Sequence, residues 1–142
     1  MAENNKRNWI GIEKDDFEIY QKFTKETKYF NQNIELFTCA TLIGIYIVGQ
    51  PLPIKNRRDL IRLDMRTTNK NFTIVKCLAI AKENDVNILN NENKLYSYCE
   101  NYANAGIKEL YRWYTDKDYD FETKVSKVLL DFWRQVDLNS ID

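Results

Sequence analysis

The sequence predicts a mainly α fold, a compact bundle of about five helices around a central apolar helix, with a minor two-strand β element. Three observations predict it. Residues 34–48 (IELFTCATLIGIYIV) form a nearly unbroken apolar run, in which the polar or minimal side chains Glu35, Thr38, Thr41 and Gly44 recur at three-residue spacing. Later segments repeat apolar residues at helical spacing over several turns. Four Gly and two Pro in 142 residues are too few for a turn-rich β protein.

In chain order, residues 1–8 are polar and expected to fray, as are 138–142. Ile10 and Ile12 alternate with Gly11 and Glu13, which suggests a short extended segment. A first helix over about 15–25 puts Phe17, Tyr20 and Phe23 on one face. Asp15, Asp16 and Glu18 fall in its first turn, where negative charge suits the helix dipole. The 34–48 run then forms the central helix. Its three-residue spacing draws one narrow stripe and leaves the remaining circumference apolar, as in a helix packed on several sides. The run is shorter than the roughly 20 apolar residues of a membrane span. A buried strand over 41–48, rich in β-branched residues, is the rival reading. Gly49 and Pro51 end the helix, and Pro51 and Pro53 make 50–56 a loop.

From Leu60 the period changes. Ile61, Leu63 and Met65 alternate with Arg62, Asp64 and Arg66, a half-buried strand signature. An isolated strand is unstable, so this one is expected to pair with residues 10–12. A third helix, about 69–82, carries Phe72, Val75, Leu78, Ala79 and Ala81, and Ile88 and Leu89 anchor the loop after it. The fourth, about 92–114, is the longest. Leu95, Tyr98, Cys99, Tyr102, Ala103, Gly106, Leu110 and Trp113 hold helical spacing along it, and Lys94, Ser97, Asn101, Asn104, Lys108 and Arg112 form its wet side. The fifth opens after Asp118, Asp120 and Glu122 and shows Phe121, Val125, Val128, Leu129, Phe132, Trp133 and Val136 on one face. With no linker or internal repeat, a single domain over 1–142 is expected.

Composition removes several kinds of chemistry. Histidine is absent, which leaves no imidazole base, no Ser-His or Cys-His pair and no histidine metal ligand. The glycines at 11, 44, 49 and 106 are isolated from one another, so no glycine loop cradles phosphate. Cys39, Cys77 and Cys99 are an odd, widely spaced set and read as buried free thiols of a reducing compartment. Glu26-Thr27-Lys28 and Glu122-Thr123-Lys124 have the acid-x-Lys form found in metal-dependent nucleases. They fall at helix ends rather than on adjacent strands, and solvated charge accounts for them. No enzymatic activity, metal or cofactor is expected, and no apolar N-terminal segment points to secretion.

The 21 basic and 21 acidic residues balance, yet they are unevenly spread. Residues 50–82 hold eight Lys or Arg against two acids, and residues 83–142 hold seven against twelve. Lys55, Arg57, Arg58, Arg62, Arg66 and Lys70 concentrate the basic middle. A strand over 60–66 would project Arg62 and Arg66 from one face, with Arg57 and Arg58 on the preceding loop. Planar guanidinium groups suit phosphate and carboxylate partners, so duplex DNA or an acidic protein is one reading. A solvated edge strand whose charges block aggregation is the other. The aromatic residues of the fourth helix exceed what one packing face requires. Core packing explains most of them, and Tyr96, Tyr111 and Tyr114 offer a protein interface, for another protein or a second copy of this chain.

Within the fourth helix, Tyr102-Ala103-Asn104-Ala105-Gly106-Ile107, preceded by Ile88-Leu89 and followed by Leu110, resembles the Tyr-Ala-Asn-Gly-Gly-Leu run of small Dnd-system-associated proteins. These are accessory proteins encoded beside DNA phosphorothioation modification and restriction genes. Lys14-Asp15-Asp16 before a short helix is similar too. So are Phe30, Leu36-Phe37 and residues 40–46, which look like a Phe-x-x-Ala-x-x-x-Gly segment, and Ile61-Arg62-Leu63, where the family tends to have Ile-Arg-Trp. The likeness covers residues 10–136. Ala105 replaces a glycine of that pattern, and residues 55–58 are more basic than it. The resemblance implies a bacterial cytoplasmic setting in antiphage defence. Two non-enzymatic roles are then expected: an accessory that docks a protein component of the modification-restriction system, or a module that contacts DNA through the basic stretch 55–70. The resemblance brings no catalytic residues to carry over.

Overall fold

The computed structural model describes residues 8–63, 66–118 and 120–140, and of 66–71 and 135–140 the backbone alone. In order, the elements are β1 (Trp9–Glu13), α1 (Phe17–Gln21), α2 (Asn33–Ile43), β2 (Arg57–Arg62), α3 (Arg66–Glu83), α4 (Glu92–Thr115) and α5 (Phe121–Ser140). The mainly helical fold with one small antiparallel sheet is the class the sequence predicts. Its contacts divide the chain into two units, Met1–Glu109 and Leu110–Asp142, each described by itself.

In the first unit, α1 and α2 both widen at their C-terminal ends. The Thr27 amide donates to the Lys22 carbonyl and the Gly49 amide to the Gly44 carbonyl, each at 2.9 Å, giving π-helical turns over Lys22–Glu26 and Gly44–Val48. Gly49 closes the second turn at φ 82°, a left-handed conformation that glycine adopts without steric penalty. Helical backbone through Val48 sets aside the strand reading of 41–48.

The middle of the run is core, with Ile34, Leu36, Phe37, Ala40, Ile43 and Ile45 buried. Phe37 stacks on Phe72 of α3 with ring centroids 6.3 Å apart, and Phe72 meets Tyr96 of α4 edge-on at 5.0 Å. Thr38 and Thr41 donate to the carbonyls of Ile34 and Phe37, both at 2.8 Å, so the helix itself satisfies these hydroxyls. The stripe is therefore not a wet edge. Thr41 and Gly44 are buried, and Gly44 faces α4. A Cβ on Gly44 would run into the Tyr102 carbonyl, and one on Gly106 into the Ala40 carbonyl. The backbones of α2 and α4 touch where the sequence supplies glycine.

The two strands pair antiparallel, as expected, with Ile10 opposite Ile61 and Gly11 opposite Asp59. Leu60 is the extra residue of a bulge at Ile10/Gly11. The strand runs over Arg57–Arg62 rather than 60–66, and Arg66 opens α3. The cause is Glu13, whose carboxylate accepts the Lys55 and Asn56 amides at 3.2 and 2.7 Å, while the Lys14 amide donates to the Asn56 carbonyl at 2.8 Å. Pairing is thus seeded before Arg57, in a stretch whose charges hide the two-residue period. Asp64 and Met65 lie outside the described residues.

The second unit holds the end of α4 and α5. Asp120 caps α5 by accepting the Thr123 amide at 3.4 Å, and it accepts the Thr123 hydroxyl at 2.6 Å. Tyr111 stacks on Tyr114 at 6.4 Å, Tyr114 meets Phe121 edge-on at 5.8 Å, and the Lys124 ammonium lies 5.3 Å from the Trp113 ring centroid. The expected apolar face of α5 is only partly covered. Phe121 is buried and Val125, Val128 and Phe132 are half-buried, but Leu129, Leu130 and Trp133 are exposed. The Val136 side chain lies outside the described residues.

Candidate interaction surface

One stretch of α4, residues 100–108, anchors most of what the first unit presents nearby. Glu100 is buried, and its Oε2 accepts the Gly11 amide at 2.6 Å while its Oε1 accepts Nη1 of Arg57 at 2.8 Å. Arg57 also donates to the Trp9 carbonyl and to Asp59 Oδ1, both at 3.2 Å. A Cβ on Gly11 would lie 2.5 Å from Arg57 Cζ, so the arginine side chain would have to shift to admit one. Burial works against the guanidinium charge, yet Glu100 and Asp59 outweigh it and raise the Arg57 pKa above its ordinary value.

Next along α4, the Asn101 carbonyl accepts the Leu52 amide at 2.9 Å, and Asn104 Nδ2 donates to the Leu52 carbonyl at 2.9 Å. Lys108 Nζ donates to Asn104 Oδ1 at 2.6 Å and to Asp16 Oδ2 at 2.8 Å. Burial raises the Asp16 carboxyl above its usual range, with Lys108 opposing. Asn104 is thus buried rather than on the wet side, and Glu100 carries a role that the apolar pattern did not reveal. Polar residues at positions 100, 104 and 108 make one i, i+4 row beside the apolar stripe, and that row was the available signal.

Held on this frame, the end of the central apolar run turns outward. Tyr46, Ile47, Val48 and Leu52 are 42%, 47%, 40% and 38% exposed. Together they expose on the order of 300 Å², the lower end of the largest apolar patches on monomers. Lys55 follows, exposed, and then β2. Arg58 is exposed with its guanidinium carbon 3.5 Å from the Phe17 ring centroid, and Arg62 is exposed 5.8 Å from that of Trp9. Of the six basic residues read from the sequence, Lys55, Arg58 and Arg62 are exposed. Arg57 is drawn into the Glu100 network, and the side chains of Arg66 and Lys70 lie outside the described residues.

The expected aromatic interface also changes. Tyr96 is buried against Phe72 and belongs to the core, while Tyr111 and Tyr114 are half-buried in the second unit. Of the thiols, Cys99 is buried and Cys39 partly so, and burial pushes both pKa values up to about 12. Cys77 is exposed, contrary to the expectation for all three. Within the acid-x-Lys triplets, contacts are seen at Thr27, Thr123 and Lys124. Thr27 donates to the Phe23 carbonyl at 3.4 Å, and Thr123 and Lys124 serve the α5 cap and Trp113. Among the described residues, no group of three or more cysteine or acidic side chains could hold a metal ion, and no helix is long and apolar enough to cross a membrane.

These features define a mainly helical protein with an exposed apolar turn and an exposed basic strand. Residues 10–135 match the family described as DNA sulphur modification system-associated protein 4. The chain belongs to that family. Neither the curated proteins nor the solved structures compared with it give a match.

Proposed function

We propose that the chain is a non-enzymatic accessory protein of a bacterial DNA sulphur modification system, acting in the cytoplasm by docking a protein component of that system. Family membership supplies the system. The observation that carries the docking role is the exposed apolar turn Tyr46–Val48 with Leu52, held in place by α4 rather than left as a loose loop. Preorganised apolar side chains lose little freedom on binding and make efficient anchors. The test is size-exclusion chromatography with light scattering, mixing the purified chain with each purified protein of its own modification system. A stable complex with one of them is expected. Failure to bind any of them refutes the reading.

Contact with duplex DNA is a second reading, supported by exposed Arg58 and Arg62 on one short strand beside the exposed Trp9. Phosphate contacts from Lys55, Arg58 and Arg62 alone give a log–log salt slope of about −2.7, and any made by Arg66 or Lys70 steepen it. Absence of any gel shift of duplex DNA at low salt and micromolar protein excludes it.

A further inference from the structure

We infer that the outer edge of β2 is a contact surface in its own right, where an extended segment of a partner protein adds a third strand to the sheet by main-chain hydrogen bonds. The partner is the modification-system protein of the docking role above, on which this assignment rests.

The sheet has two strands and therefore two edges, and they differ. Along β1 the outer edge is covered. The Gly11 amide donates to buried Glu100 at 2.6 Å, and the Trp9 carbonyl accepts Arg57 Nη2 at 3.2 Å. Along β2 the outward groups follow from the register. The Lys14 amide donates to the Asn56 carbonyl, which makes positions 14 and 56 a hydrogen-bonded pair, and such pairs alternate along an antiparallel ladder. Arg58, opposite Ile12, therefore turns its amide and carbonyl toward β1. Arg57 and Asp59, opposite Glu13 and Gly11, turn theirs away. The Gly11 amide fits this phase, because it points to Glu100 rather than to Asp59 across the ladder.

Arg57, Arg58 and Asp59 are exposed. Among the described residues, no backbone–backbone bond outside the ladder engages Arg57 or Asp59. Donors and acceptors at alternate residues of an extended strand are met in full by another extended backbone, and an open row of them is a template for strand addition.

A second copy of the chain is a poor occupant. Two copies of β2 that bonded these outward groups reciprocally, antiparallel about a twofold axis, would set Arg57 against Asp59 and Arg58 directly against its counterpart. That central pair is the close, non-hydrogen-bonded one, where like charges destabilise. The flanking Arg57–Asp59 pairs offset little, since Arg57 already bonds Asp59 and Glu100 within its own chain. A segment of another protein with no base at the central position escapes the repulsion.

Amide exchange tests the assignment at single residues by NMR, and substitution tests it by affinity. In the free chain the Asp59 amide is expected to exchange rapidly and the Arg58 amide slowly. In the complex with the modification-system protein that binds, Asp59 exchange is expected to slow about tenfold or more. Asp59→Pro removes the outward donor and keeps the ladder to β1, since proline is tolerated where the N–H side of an edge strand faces solvent. It is expected to weaken binding about tenfold, the worth of one main-chain hydrogen bond. Asp59→Ala keeps the amide and loses the carboxylate, and is expected to bind within about twofold of wild type. Circular dichroism checks both folds, and should Asp59→Pro unfold, the exchange measurement decides.

A slow Asp59 amide in the free chain would mean that the edge is covered, and overturns the inference. So does a complex in which Asp59 exchanges as fast as before, or one that a folded Asp59→Pro variant forms at full affinity; the docking role then stands without strand addition. Equal loss of affinity in Asp59→Ala traces the effect to the carboxylate and has the same consequence. Asp59 protection that rises with the concentration of the chain alone assigns the edge to a second copy and equally overturns it. If no modification-system protein binds, the docking role itself fails and this assignment falls with it.

Discussion

Replacing Glu100 with alanine removes the buried carboxylate that joins β1, β2 and α4. Two of its partners, Gly11 and Arg57, lose different amounts. The Gly11 amide is buried and meets Glu100 at 2.6 Å, so leaving it unsatisfied costs about 1–3 kcal/mol. The Arg57 side chain is 34% exposed and can turn to water, so its share is discounted to about 1 kcal/mol or less. The sum, about 1–4 kcal/mol, is a large fraction of the stability of a small domain. Glu100→Gln keeps the volume and one acceptor for Gly11 but turns an amide donor or a neutral acceptor toward the guanidinium, and is expected to lose roughly half as much. Urea denaturation at neutral pH measures both. A double-mutant cycle with Arg57→Ala is expected to show coupling of about 1 kcal/mol. Glu100→Ala within about 0.5 kcal/mol of wild type would refute the assignment of Glu100 as the tie, as would a cycle without coupling.

Three further outcomes follow from the same frame. Gly106→Ala is expected to destabilise by about 2 kcal/mol or more, because its Cβ meets the Ala40 carbonyl and α2 must move away from α4; an unchanged thermal midpoint would contradict the close approach. With Ellman's reagent, exposed Cys77 is expected to react quickly in the native protein and all three thiols in denaturant. Fast native reaction of Cys99, buried and pushed up to about 12, would be inconsistent with the core. Asp16 has a raised native pKa, so the folded state binds its proton more tightly than the unfolded chain does. This group therefore makes stability decline as pH rises from its ordinary value of 3.8 through the native one. Asp16→Asn removes that contribution, and urea midpoints for the two proteins that run parallel across the window would contradict it.

Much of the architecture was legible because it rests on periodicity. The helical spacing of α3, α4 and α5, the pairing of residues 10–12 with a later strand, and the small residue at Gly106 all follow from apolar pattern and side-chain size. What periodicity could not reveal is which polar residues turn inward. Asn104 and Glu100 look solvated because a helical pattern records apolarity, whereas their burial depends on a loop carbonyl and a bulged amide brought from far along the chain. Arg57 was grouped with its basic neighbours for the same reason, since its distinction is the carboxylate beneath it rather than its own chemistry. The end of the 34–48 run misled in the opposite direction. Apolarity predicted burial through Val48, but Gly44 and Gly49 open a widened turn there that carries Tyr46, Ile47 and Val48 into solvent.

Hydrogen–deuterium exchange of the chain alone, and bound to its modification-system protein, tests the docking role most directly, because backbone amides report contact without any substitution. Protection on binding is expected across residues 44–62, covering the apolar turn and β2, with little change in α3. Protection confined to residues 121–140, or none anywhere, would contradict the assignment of this surface as the place where the partner sits.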